Sequence, residues 1–230
     1  IGPQTLAYSA CGAADLVELA DQVQNIEQMK RRLQRKLDRS RRATNPDNYA
    51  DNGTIRRGVK LTHNKSNRYR RTQRELRYLQ HCQAEIRKRQ HIELANHLLA
   101  LGDCFYVEDM VWPSLTHRAK ETAISEKTGR IKRKKRFGKS VANKAPATLI
   151  GILEQKCNSL GLPGVMKVPT SLRASQYNHQ SGEYTSKPLS QRWNNMPDGE
   201  RIQRDLYSAF LLQHYDPQAG NFDSELLQQD

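Results

Sequence analysis

Cysteine is scarce in this 230-residue chain: Cys11, Cys82, Cys104 and Cys157 stand far apart, with no C-x-x-C pair. That spacing speaks against a disulfide framework or a zinc site. Cys82, Cys104 and Cys157 lie in apolar or helical stretches that suit buried, reduced thiols, as in a cytosolic protein. Long apolar runs are lacking too. No stretch approaches the ~20 residues of a membrane-spanning helix, and the start carries no basic n-region followed by a long apolar h-region. The seven histidines form no H-E-x-x-H, and neither a glycine-rich phosphate loop nor a G-x-S-x-G elbow occurs. The opening Ile1-Gly2-Pro3-Gln4-Thr5 has no Met and reads as the inside of a strand, which suggests a fragment or a trimmed chain.

Acidic residues are the remaining shortage. Asp and Glu total 24 against 38 Lys and Arg, a formal charge of +14. Such an excess of positive charge points to a polyanionic partner, and without a membrane segment nucleic acid is the better reading. At 36% hydrophobic and 27% charged residues the chain retains enough apolar material for a core.

The hydrophobic period sets the expected elements. Alternation predicts strands over 5–10 and 15–19 around Cys11-Gly12-Ala13. Ile26, Met29, Leu33 and Leu37 then recur at helical spacing, so a helix is predicted over 21–42 with Asp21 as N-cap. Residues 44–66, rich in Asn, Asp, Gly and Thr, read as a mobile loop. A long helix follows over 67–101, stopped by Gly102. A strand is predicted over 104–107 and a solvated connection over 113–144, with the run Lys132-Arg133-Lys134-Lys135-Arg136. Pro146 opens a helix that Gly161 closes. A short strand over 165–168, a polar stretch over 170–200 and a helix over 200–214 complete the order, the last burying Ile202, Leu206, Ala209 and Phe210. Residues 215–230 read as a disordered tail. Strand, strand, helix, helix, strand, helix, strand, helix predicts an α/β fold with helices packed on a mixed sheet.

The charged residues fall into two sets. Arg31, Arg32, Arg35, Lys36 and Arg39 share the first helix with an apolar stripe, and Arg70, Arg71 and Arg74 recur on the second. Packed antiparallel by their stripes, these helices would present a wide positive face, where each phosphate neutralised releases counterions. A solvated helix face is the ordinary explanation of one such run; several runs on a chain of +14 favour nucleic-acid binding. The second set is acidic. Glu108, followed by Asp109, ends an apolar strand, and Asp205 lies within a helical pattern. Carboxylates converging from different elements are what two-metal phosphodiester cleavage needs, one Mg²⁺ activating water and the other stabilising the leaving oxygen. Solvated strand-end acids, with Asp205 paired to Arg201 one turn back, are the plain alternative.

Taken in order, the basic helix pair, Phe105-Tyr106-Val107-Glu108-Asp109-Met110, Ala145-Pro146, Ala174-Ser175-Gln176-Tyr177-Asn178-His179, Lys187-Pro188-Leu189-Ser190-Gln191-Arg192-Trp193 and Gln203-Arg204-Asp205-Leu206-Tyr207-Ser208-Ala209 resemble TnpB (OrfB) proteins. These are insertion-sequence transposon proteins related to the CRISPR type V effectors. The resemblance covers nearly the whole chain and matches their C-terminal, RuvC-like nuclease half. It implies an RNase H-like fold spanning 1–174 and 201–214, with the basic helical pair over 21–101. It also implies RNA-guided DNA cleavage by Mg²⁺ (or Mn²⁺) at an Asp, Glu, Asp triad, with DNA and a guide RNA as partners in a prokaryotic cytoplasm.

Carried over, the second and third acids are Glu108 and Asp205, and Arg204 beside the last acid would contact the scissile strand. The first acid belongs to an Asp-x-Gly motif whose Gly matches Gly2, so it would immediately precede Ile1. A chain without it is expected to bind metal poorly and to cut little or nothing. Many relatives carry a four-cysteine zinc ribbon between the second and third acids. Here Asn178 and Ser181 stand where Cys would be, and no Cys follows Arg192. The resemblance therefore implies no structural zinc and a degenerate insert over 175–200 that still folds as a small lobe. A catalytically inactive DNA- or RNA-binding module is the alternative, and a basic structural protein of a ribonucleoprotein a weaker third.

Overall fold

The computed structural model describes residues 1–117, 124, 129, 137–188, 190–196 and 199–228. The basic run Lys132–Arg136 lies outside the described residues, as does Leu189. The chain is mixed α/β, with six α-helices and five two-stranded sheets among the described residues. The strands β1 Thr5–Ala10 and β2 Ala13–Glu18 come first, followed by the helices α1 Glu27–Thr44 and α2 Asn67–Leu101. Next are β3 Cys104–Glu108 and the helices α3 Trp112–Thr116, α4 Gly138–Lys144 and α5 Pro146–Leu160. The strands β4 Gly164–Val168, β5 Tyr177–Asn178, β6 Glu183–Tyr184, β7 Trp193–Asn195 and β8 Arg201–Gln203 precede α6 Arg204–Gln213. The strands β9 Tyr215–Asp216 and β10 Asn221–Phe222 follow it. The chain divides into one unit of Ile1–Asp21 with Lys88–Asp230 and another of Gln22–Arg87.

In the first unit β1 and β2 form the expected hairpin, closed by Cys11-Gly12 with Gly12 at φ +76°. A two-residue hairpin loop demands such positive φ, and glycine takes it without strain. β3 and β4 pair in parallel, from Cys104 opposite Gly164 to Glu108 opposite Val168. A parallel pair needs a long crossover, which α5 supplies. α5 starts on Pro146 and stops on Gly161 at φ +68°, as the sequence indicates.

Two apolar clusters hold this unit. One joins Leu6, Leu19, Ala95, Leu98, Leu149, Leu153 and Cys157, with Tyr8, Phe105 and Val165 against it. The other joins Ala174, Met196, Tyr207, Leu211, Phe222 and Leu227.

Several expectations give way here. The strands form no single mixed sheet, since each described strand pairs with one partner. α6 begins at Arg204 rather than Glu200. Residues 201–203 pair with 193–195 instead, and the Gln203 side chain caps the helix by accepting from the Asp205 and Leu206 N–H groups at 2.6 and 2.8 Å. The shifted start rotates the buried stripe to Arg204, Tyr207 and Leu211. The tail is ordered over 215–227: β9 and β10 form a hairpin, and Phe222 and Leu227 are buried. Two isolated anchors within polar neighbours leave no periodic signal, which is why the tail reads as disordered. α3 and α4 also punctuate the stretch expected to be a solvated connection.

In the second unit, α1 starts at Glu27 and not at Asp21, which is exposed and accepts a hydrogen bond from Gln90. Met29 is exposed, so the packed stripe reduces to Leu33 and its half-buried neighbours Ile26 and Leu37. α1 and the start of α2 run antiparallel. Ser40 near the end of α1 bonds Ser66 just before α2 at 3.0 Å, and Gln83 donates to the Gln24 carbonyl before α1. The connection 45–66 is tied by two buried asparagines. Asn45 exchanges amide hydrogen bonds with the Asn64 backbone at 2.8 and 2.9 Å, and Asn48 does the same with Thr62. Each side chain thereby acts as a strand partner and satisfies a loop that composition alone marks as mobile.

Candidate active site and nucleic-acid interface

The parallel ladder of β3 and β4 carries Glu108 to its C-terminal end. The next residue continues the ladder, its N–H donating to the Val168 carbonyl at 2.9 Å, which leaves the Asp109 side chain exposed. Glu108 is half-buried. Asp205 arrives from another direction, in the first turn of α6, where a negative charge is favoured by the helix dipole.

Its carboxylate is held rather than free. Gln203 donates to Oδ2 at 3.2 Å, Arg192 lies 3.7 Å from the same oxygen, and Arg204 lies 3.5 Å from Oδ1. Arg201, the expected partner, stands on β8 with its guanidinium 5.6 Å from the Trp193 ring centroid.

Both acids act on the α-amino group of Ile1: burial pulls its pKa below the ordinary value of 8.0, while attraction to Glu108 and Asp205 pulls it back up.

Among the described residues no group of three or more His, Cys, Asp or Glu is placed to hold a metal ion. Two carboxylates suffice for one Mg²⁺, which is commonly bound through one or two acids with waters and substrate phosphates.

Arg204 departs from the expectation that it contacts a nucleic-acid strand. Only 8% exposed, it donates Nη1 to the Gln191 carbonyl at 3.2 Å and reaches Asp205 with Nη2. Its role is to fix β7 and the start of α6 around Asp205. Arg192 and Gln203 were not expected as neighbours of that acid. A glutamine two residues before a helical acid is the one readable sign, because that spacing suits a cap.

The 175–200 insert holds the β5–β6 pair and β7, which pairs with β8 just past it. At the two positions matched to cysteines, Asn178 and Ser181 make turn contacts. Asn178 Oδ1 accepts from the Gln180 N–H at 3.0 Å and Ser181 Oγ from the Glu183 N–H at 3.4 Å. Tyr177 stacks on Phe222 with centroids 5.2 Å apart, and the Arg173 guanidinium lies 4.8 Å from the Tyr184 centroid. Lys187 donates to Asn194 Oδ1 at 2.9 Å; burial, then repulsion from Arg204, lowers its pKa.

Most of the basic residues singled out in the second unit are exposed. Arg31, Arg32, Arg35 and Arg39 are exposed along α1, with Lys36 half-buried, and Arg70, Arg71 and Arg74 are exposed on α2. Arg41 and Arg42 are instead engaged by Asp38 at 2.8 and 2.9 Å. No helix among the described residues is long and apolar enough to cross a membrane. No family model matches the chain, and no curated protein matches its sequence.

Proposed function

We propose that this chain is the RuvC-like nuclease domain of a TnpB-type transposon protein, with an RNase H-like fold, acting in RNA-guided cleavage of DNA phosphodiester bonds. The observation that supports this reading is the placement of Glu108 at the C-terminal end of β3 and of Asp205 in the first turn of α6, on two elements that pack together, in the order the resemblance implies. In this reading the two carboxylates hold Mg²⁺ or Mn²⁺. Two such ions would supply an activated water and stabilisation of the leaving oxygen. Arg192, Arg204 and Gln203 hold the Asp205 carboxylate in position, and the α1 and α2 arginines grip phosphates of the guide–target duplex or of a single strand. An Asp placed directly ahead of Ile1 would enter the same field and supply a third ligand.

Cleavage by the gene-length protein with its guide RNA and Mg²⁺ tests the proposal. Asp205→Ala and Glu108→Ala each abolish cleavage while guide RNA remains bound. Undiminished cleavage by Asp205→Ala defeats the assignment.

A second reading, a nucleic-acid-binding module that does not cut, draws on the finding that no third donor joins the two acids among the described residues. In that case the same proteins bind nucleic acid equally well, and neither cuts.

A further inference from the structure

The loop between α1 and α2 has a fixed frame. Its base is latched twice: buried Asn45 exchanges amide hydrogen bonds with the Asn64 backbone, and buried Asn48 with that of Thr62. Beyond the latches the chain folds back on itself. The Arg56 N–H donates to the Asn48 carbonyl at 2.9 Å, and the Ala50 N–H to the Thr54 carbonyl at 2.9 Å. Arg42 of α1 holds the turn, donating Nη1 to the Gly53 carbonyl at 2.8 Å with its guanidinium 4.9 Å from the Tyr49 ring centroid.

This frame holds Ile55 and Val59 out at 50% and 54% exposure, beside exposed Arg56, Arg57 and Lys60. Arg57, Gly58, Val59 and Lys60 make no hydrogen bond among the described residues. The charge around them is of one sign: residues 52–74 hold eight Lys and Arg and no Asp or Glu. A single exposed aliphatic side chain is ordinary. Two on one latched, wholly cationic loop bring together phosphate neutralisation and apolar contact with bases, the two contacts that groove binding uses. The major groove takes a helix or a two-stranded ribbon, whereas the minor groove, about 6 Å wide, is entered by single chains that carry arginine and apolar side chains. Residues 57–60 belong to neither a helix nor a strand ladder, so they suit the narrower groove.

We propose that residues 55–60 enter the minor groove of a DNA duplex, with Arg56, Arg57 and Lys60 on the phosphates that flank it and Ile55 and Val59 against its floor. This rests on the nucleic-acid reading of the basic helices and adds to it the element that enters a groove. The asparagine latches order the loop in advance, so little conformational entropy is lost on binding. Arg56 already gives Nε to the Tyr49 carbonyl at 3.1 Å, which fixes the direction of its exposed guanidinium.

Fluorescence anisotropy of an A·T-rich DNA duplex titrated with the full chain, without guide RNA or Mg²⁺, tests this. Ile55→Ser combined with Val59→Ser is expected to weaken binding by about tenfold, through apolar area no longer buried, at an unchanged salt slope. Arg57→Gln combined with Lys60→Gln should lower the slope of log affinity against log salt by about two. Netropsin, which fills the minor groove, should bring the parent protein down to the affinity of the serine variant and leave that variant unchanged. Equal affinity of the parent protein and the serine variant overturns the proposal, as does netropsin weakening both alike. Neither result touches Glu108 or Asp205, so the cleavage reading keeps its own test. A parent protein that binds no duplex at all overturns the nucleic-acid reading as well.

Discussion

The Tyr207 hydroxyl on α6 accepts the backbone N–H of His179 at 3.0 Å and shares a 2.7 Å hydrogen bond with His179 Nδ1. This pair ties the first turn of the insert to the helix that carries Asp205. Tyr207 is 2% exposed, and burial raises its pKa, so the hydroxyl stays protonated and able to donate. Tyr207→Phe leaves a buried N–H without its acceptor and is expected to cost ~1–3 kcal/mol in urea unfolding, with far-UV circular dichroism unchanged.

Phe222 anchors the segment after α6. At 5% exposure in the cluster with Tyr207 and Leu211, it is expected to lose ~3–5 kcal/mol as Phe222→Ala. A disordered segment would tolerate the change without a shift in melting temperature, so differential scanning calorimetry separates the two descriptions.

The regular elements were legible because they rest on local signals. The Pro146 start and Gly161 stop of α5, and Gly12 in the β1–β2 turn, are set by backbone conformations that few residues accept. What escaped the sequence depends on distant partners. Asn45 and Asn48 order their loop through side-chain bonds to Asn64 and Thr62, and Phe222 finds its cluster through tertiary packing. The candidate acids were nameable from their motifs, whereas the burial of Arg204 was not, because burial of an arginine leaves no mark in sequence. The start of α6 was misplaced because β8 has only three residues, too few for a period.

Asp38 gives a pH signature in the second unit. Hydrogen bonds from Arg41 and Arg42 lower its pKa below the ordinary 3.8. Its contribution is therefore complete above that value and is lost as pH falls through the lower folded value. The group is largely exposed, so screening limits the effect. Asp38→Asn is expected to cost ~0.3–1 kcal/mol at neutral pH, and the difference from the parent protein should vanish once pH falls below the lowered folded value in acid titrations of stability.

The basic face predicts a salt dependence. Replacing Arg31, Arg32, Arg35 and Arg39 together by Gln should reduce the slope of log affinity against log salt by about three to four for nucleic acid. Fluorescence anisotropy between low and moderate salt measures it. An unchanged slope would remove α1 from the interface.

Binding of Mn²⁺, followed by electron paramagnetic resonance in a protein bearing Asp ahead of Ile1, tests most directly whether Glu108 and Asp205 share one ion. Glu108→Gln and Asp205→Asn should each weaken binding by about tenfold or more, the loss expected when one of few charged ligands goes, with secondary structure intact. Equal affinity in the parent protein and both variants would contradict a shared metal site.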